Sequence, residues 1–225
     1  MGNSDCEHIG EGLLAQPVNT LTSLAYIAVG ALLFRRGLAL RSTALVVYAT
    51  TVVAVGIGSI AFHGPMPACG RFAHDFSIAA VLAFVIGYDT ALVRGIGMRA
   101  ALTGFGLLLG ACAIVLAIWP DSSNALDSVL VVGALITEVV IARSPRRLAS
   151  ARGLMRAPAV WILGGAVLAI GAALNAFGRT DAPLCHPDSL VQLHGAWHVL
   201  TAAVLWVYGA GVLEPREQAR RIIAA

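Results

Sequence analysis

Apolar runs of about 18 to 20 residues recur along this chain of 225 residues. A helix of that length crosses a bilayer core of roughly 30 Å. Inside lipid every backbone N–H and C=O must find its partner within the protein, so each run has to be helical. Composition agrees: 58% of the residues are hydrophobic, 12% are charged, and the mean hydropathy is +0.82. A water-soluble fold of this size needs more polar surface. The chain therefore reads as an all-α membrane protein.

The runs fall near 17–34, 43–62, 73–93, 100–119, 125–142, 158–177 and 190–213, which predicts a seven-transmembrane helix bundle in one domain over 1–225. Connections are short, so neighbours in sequence are expected to be neighbours in space. Only the fifth, RSPRRLASARGLMR, is long and charged enough for a distinct loop. Residues 1–16 carry Asp5, Glu7, His8 and Glu11 and no basic stretch before an apolar core, so they read as an external segment and not as a cleavable signal.

Arginine fixes the orientation. All 15 basic side chains are Arg, and only Arg71 and Arg179 do not follow the first, third, fifth or seventh run. The positive-inside bias then places the N-terminus outside and the tail, 214–225, in the cytoplasm. That tail, with EPREQARRI, reads as a basic amphipathic helix on the membrane surface. Abundant Ala and Gly without Lys hint at a GC-rich genome, and hence at a bacterial cytoplasmic membrane. The glycine-rich stretches are not nucleotide loops, since no strand precedes them and no Lys-Ser/Thr follows. Nothing suggests a nucleic-acid partner.

With this orientation the second run ends outside, carrying Ser59 and His63 on one helix face about 6 Å apart along the axis. The third run begins outside with Asp75. The seventh also begins outside, in QLHGAWHVL, with His194 and His198 on one face. None of these five residues was used to set the orientation, yet all arrive in one leaflet. Titratable groups in lipid are costly and face a bundle interior or a wet cavity. Three imidazoles from two helices, with a carboxylate beside them, point to a metal. HxxxH presents two zinc ligands, and a third His leaves a position for water. The competing reading, hydrogen-bonding histidines without a metal, is outweighed by the matched depth of both pairs.

Other residues have plainer readings beside functional ones. Asn19 and Ser23 either orient Asp75 or a ligand His, or simply hydrogen-bond between helices. Trp197 either packs against the metal shell or anchors at an interface. His74 should point about 100° away from Asp75 and sit at the rim. Asp89 and Glu138 read as ion-paired or snorkelling toward the Arg clusters. Cys6, Cys69 and Cys185 all fall outside, where disulfides persist, and Cys112 reads as a small core residue.

GIGSIAFH (56–63), HDFS (74–77) and HGAWHVLT (194–201), with DCE (5–7) and PVNTLTSL (17–24), resemble the alkaline ceramidase family within the CREST superfamily of membrane hydrolases. The resemblance covers both ends and the first, second, third and seventh runs. It implies zinc held by His63, His194 and His198, with Ser59 and Asp75 at the metal, and a disulfide between Cys6 and Cys185. It implies hydrolysis of a ceramide-like lipid amide by metal-activated water, with Asp75 moving the proton and Ser59 steadying the oxyanion. Animal members also bind calcium through an acidic N-terminal segment. Here Gln16 stands where a carboxylate is expected, which leaves Asp5, Glu7 and Glu11 as candidate oxygen donors. The alternatives are an ester hydrolase with the same zinc site, or a receptor- or transporter-like protein with a non-catalytic metal. Oligomeric state is not legible.

Overall fold

A computed structural model describes residues 4–143 and 158–213. Among these the secondary structure is helical, without strands: α1 Pro17–Thr22, α2 Leu24–Leu40, α3 Thr43–His63, α4 Gly70–Arg94, α5 Met98–Ile118, α6 Ser123–Ala142, α7 Pro158–Phe177 and α8 Leu193–Tyr208. A π-helical turn, Gly209–Leu213, extends α8. Nearly all of the loop expected at 143–156, and the whole tail 214–225, lie outside the described residues. Among the described residues five helical segments are long and apolar enough to cross a membrane: Pro17–Leu40, Thr43–His63, Gly70–Arg94, Met98–Ile118 and Pro120–Ile141. Ile162–Phe177 is a shorter apolar helix.

The ends of these helices have local causes. Pro17 opens α1, where its missing N–H costs nothing. The Ser42 side chain accepts from the backbone of Leu45 and caps α3. Gly95, in the left-handed conformation, closes α4. The first run extends past 34 because α2 continues to Leu40 and stops only at Arg41, which has φ 53°. The last helix starts at Leu193 and not at 190, because Gln192 Nε2 donates to the carbonyls of His186 and Ser189 and holds the preceding residues in a turn.

α4 packs on α3, α5 and α6; α3 packs on α2; α8 returns to α1 and α2, and α7 lies on α8. The main core gathers Leu33, Leu45, Tyr48, Val52 and Phe84. Two glycines of α3 set close approaches to its neighbours. A Cβ on Gly56 would lie 2.5 Å from Ile27 of α2, and one on Gly58 would lie 2.6 Å from the carbonyl oxygen of Ala73 of α4. Lipid tails are as apolar as Leu, so membrane helices associate through such close backbone packing and not through the hydrophobic effect.

Asp89 does not snorkel. It is fully buried, and Oδ1 accepts the Tyr208 hydroxyl at 3.0 Å, linking α4 to α8 within the bundle.

Candidate metal centre

The end of the bundle where α3 stops and α4 and α8 start is where the polar side chains collect. His63 closes α3, and His194 and His198 occupy the first turns of α8. All three are buried, and one ring nitrogen from each lies within 4.8 Å of the others. The Nε2 atoms of His63 and His194 are 3.3 Å apart. Ring centroids are separated by 5.0 Å (63–194), 5.3 Å (63–198) and 4.5 Å (194–198).

The surrounding hydrogen bonds fix where each ring carries its proton. Gln16 Nε2 donates to the Glu7 carbonyl at 2.8 Å, so its Oε1 faces His63 Nδ1 at 2.7 Å as an acceptor. His63 Nδ1 must then be the protonated nitrogen. His194 Nδ1 meets Asn175 Oδ1 at 2.7 Å in the same way. His198 Nδ1 meets Thr22 Oγ1 at 3.1 Å and Ser23 Oγ at 3.3 Å. Each hydroxyl has only one proton. Thr22 spends its proton on the Val18 or Asn19 carbonyl, and Ser23 on that of Asn19. Both oxygens therefore face His198 as acceptors, and its Nδ1 donates.

Each Nδ1 is thus a donor, which leaves each Nε2 a bare lone pair, and those of His63 and His194 face each other directly. Buried lone pairs brought this close repel unless a cation lies between them. A tetrahedral ion with metal–nitrogen distances of about 2.0–2.1 Å holds two nitrogens about 3.3–3.4 Å apart. The observed separation for His63 and His194 matches. Metal-binding histidines characteristically donate their other N–H to an oxygen that fixes the tautomer, and here every one does. The donor set therefore fits a metal ion.

Ser59, on α3, is 1% exposed, and Asp75, near the start of α4, is 8% exposed. His74 is partly exposed and stands outside the histidine trio, as a rim residue would, but it does not point away from Asp75. Its Nδ1 lies 2.8 Å from Asp75 Oδ1, its ring stacks on Phe62 at 4.6 Å, and it stands edge-on to His63 at 6.0 Å. The other carboxylate oxygen of Asp75 is 3.7 Å from Arg71 Nε. Asp127 of α6 has a buried Oδ1 with no hydrogen-bond partner among the described residues, and lies within electrostatic range of Asp75 and His74.

Ser23 does reach a ligand histidine. Asn19 does not: neither atom of its fully buried side-chain amide has a hydrogen-bond partner among the described residues. Asn19 contributes its backbone carbonyl instead, and Thr22 takes the place expected for its side chain. Thr22 and Ser23, consecutive residues at the junction of α1 and α2, both bring a hydroxyl to one ring. The Trp197 ring lies against Gly171 of α7, where an added Cβ would be 2.9 Å from it. Sequence reasoning also missed Asn175. Its one signal is a carboxamide near the end of an apolar run.

The N-terminal segment is tied directly to this site. Cys6 and Cys185 form a disulfide across 179 residues, with Cα atoms 5.5 Å apart. Cys69 and Cys112 are free. The two carboxylate oxygens of Glu7 accept the N–H groups of Val18 and Asn19, satisfying the first turn of α1. Asp5 accepts from Ser4 and lies 3.8 Å from His194 Nδ1, and burial raises its carboxyl above the usual pKa. Glu11 is exposed. The carboxylates considered for calcium are thus engaged separately. Among the described residues the only group of three or more His, Cys, Asp or Glu able to share a metal is the histidine trio, so the calcium donors do not fit together.

An all-helical, lipid-suited bundle with three clustered imidazoles defines a membrane protein with a site able to hold a metal ion at one end of the bundle. The chain belongs to the ceramidase family, whose model, described as Ceramidase, matches residues 8–213. No curated protein matches it, and no solved structure does. The family's members act on lipid amides and depend on a metal.

Proposed function

We propose that this chain is a zinc-dependent intramembrane hydrolase that cleaves a ceramide-like lipid amide. The carrying observation is the convergence of ring nitrogens from three histidines to within 4.8 Å, with an oxygen acceptor at Nδ1 of each ring. Family membership supplies the bond to be cleaved. His63, His194 and His198 would hold the zinc. An all-nitrogen set of three protein ligands suits that ion and leaves a position for water. Bound there, zinc makes a water more acidic and polarises a carbonyl.

This chain's own groups do the rest. As the water oxygen joins the carbonyl carbon, Asp75 takes the water's proton. It returns that proton to the amide nitrogen as the C–N bond breaks, releasing a fatty acid and an amine. Ser59 donates its hydroxyl to the negative charge developing on the carbonyl oxygen. It is not the nucleophile, since His63 Nε2 is committed to the metal and no other base is assigned to it. Gln16, Asn175, Thr22 and Ser23 keep the imidazoles in the ligating tautomer.

The wider architecture in this reading is one seven-span domain over 1–225, with the N-terminus and active site on the extracytoplasmic side of a bacterial cytoplasmic membrane. The Arg distribution supports that orientation, and α7 and α8 supply the sixth and seventh spans. Metal analysis of purified protein, together with product detection on matched amide and ester lipids, tests the proposal. Wild type should carry zinc and release amine from the amide, and His194→Ala should lose both. Turnover of the ester alone, or zinc without any hydrolysis, would refute it.

A further inference from the structure

We infer that His74 is a positioning residue for Asp75: seated on Phe62, its imidazole holds one carboxylate oxygen and so aims the other toward the reacting atoms. The inference rests on the acid–base role proposed for Asp75. A carboxylate rotates easily about its last torsion, which has a broad and roughly two-fold profile. Its direction must therefore come from its partners. Two groups approach Asp75. Arg71 Nε is 3.7 Å from Oδ2, too far for a hydrogen bond. The Arg71 guanidinium is also committed elsewhere, with Nη1 on Asp121 Oδ1 at 2.9 Å and Nη2 on the Pro120 carbonyl at 2.8 Å. His74 Nδ1, at 2.8 Å from Oδ1, is the one hydrogen-bond partner of the carboxylate among the described residues. An ionised carboxylate only accepts, so Nδ1 carries the proton.

His74 is itself held. Its ring stacks on Phe62 with 27° between planes, and its carbonyl accepts the Ser77 hydroxyl at 2.7 Å. Phe62 precedes the ligand His63 on α3, as His74 precedes Asp75 on α4. The close packing of Gly58 on Ala73 sets this register. Phe62 and His63 thus both meet the His74 ring. One contact seats the imidazole, and that imidazole holds the carboxylate.

Four variants of the full-length protein test this: Asp75→Asn, His74→Phe, His74→Asn and Phe62→Leu. Each is assayed for bound zinc and for kcat and KM on an N-acyl sphingoid amide in detergent micelles. His74→Phe keeps the stack and removes the donor. It should retain zinc and KM while kcat falls about 10- to 100-fold, the scale of general acid–base catalysis weakened but not removed. His74→Asn can place an amide N–H where Nδ1–H stands and should recover most of that loss. Phe62→Leu, which leaves both polar groups intact, should lower kcat several-fold. A structural rim residue would move none of these in that pattern. If His74→Phe turns over within twofold of wild type while Asp75→Asn is inactive, the positioning role falls and the proposed function stands. Equal damage in His74→Asn and His74→Phe also overturns it. If Asp75→Asn itself turns over normally, the underlying reading falls and this inference falls with it.

Discussion

Helices α3 and α4 bury half of their most apolar stretches, whereas α5 and the Pro120–Ile141 segment bury only 17% and 11% of theirs. Hydropathy does not foretell this: the four values are 2.1, 2.0, 2.4 and 1.8, and the most apolar helix is among the least buried. In a bilayer, apolarity records that a helix can live in lipid and says nothing about which neighbour it prefers. Small residues alone do not separate the two regions, since an added Cβ on Gly104, Gly106 or Gly110 of α5 would meet nothing within 4 Å; what differs is whether a neighbouring helix packs on them. Gly58 of α3 meets Ala73 of α4 and Gly56 meets Ile27 of α2, on the same stretch of chain as Ser59, His63 and Asp75. The exposed faces of α5 and α6 carry Leu107, Val129, Val132 and Ile136 instead. Chemistry is concentrated where tight backbone packing can shield titratable groups from lipid.

The comparison breaks most visibly at His63. His63→Ala removes one of three converging donors, and both bound zinc and amide hydrolysis should fall below detection. Elemental analysis beside a product assay reads this directly. Retention of stoichiometric zinc would show that the buried end of α3 is packing and not a metal grip. A smaller break is expected from Leu45→Ala, in the fully buried part of the same helix. Deleting a buried Leu side chain leaves a cavity and costs about 2–5 kcal/mol. Reversible denaturation in mixed micelles measures it, and a cost under about 1 kcal/mol would mean that α3 is far less tightly packed than the structure has it. Smaller again, Gln16→Leu removes the acceptor that fixes His63 but leaves all three ligands. Losing such an outer partner lowers metal affinity about 10- to 100-fold. Competition with a chelator tests that value, and unchanged affinity would rule out the tautomer argument at His63.

The legible parts of the molecule are those with a period or a charge count. Helix positions followed from apolar run length, because a bilayer fixes that length. His63, His194 and His198 stood out because an imidazole in an apolar run has few cheap explanations. The Cys6–Cys185 pairing came from family resemblance alone, since spacing left Cys69 as an equal partner. Gln16, Thr22 and Asn175 were harder to find. Each acts through one side-chain oxygen aimed at a ring on another helix, and that direction exists only after packing. Asn19 shows the converse. Its i, i+4 spacing to Ser23 promised a shared face, yet it is Thr22 and Ser23 whose side chains reach the ring, and the Asn19 amide does not. His74 failed for a similar reason: helical geometry separates adjacent Cβ directions by about 100°, yet a long imidazole can fold back to its neighbour's carboxylate.

The smallest expected effect sharpens the contrast further. Leu107→Ala, on α5, makes the same chemical change as Leu45→Ala in a helix of slightly higher hydropathy. Leu107 is 72% exposed and Leu45 is 0% exposed. Truncation at Leu107 leaves no internal cavity, because the space beyond it belongs to lipid or detergent, which refills it. Ala is also the better helix former. The predicted change is within about 0.5 kcal/mol, the range for substitutions away from packed features, with zinc content and turnover at wild-type levels. A loss comparable to that of Leu45→Ala would mean that the open face of α5 is covered by protein in the working molecule, by a second copy or another chain. The burial difference between the two halves would then belong to the isolated chain and not to the assembly that acts in the membrane.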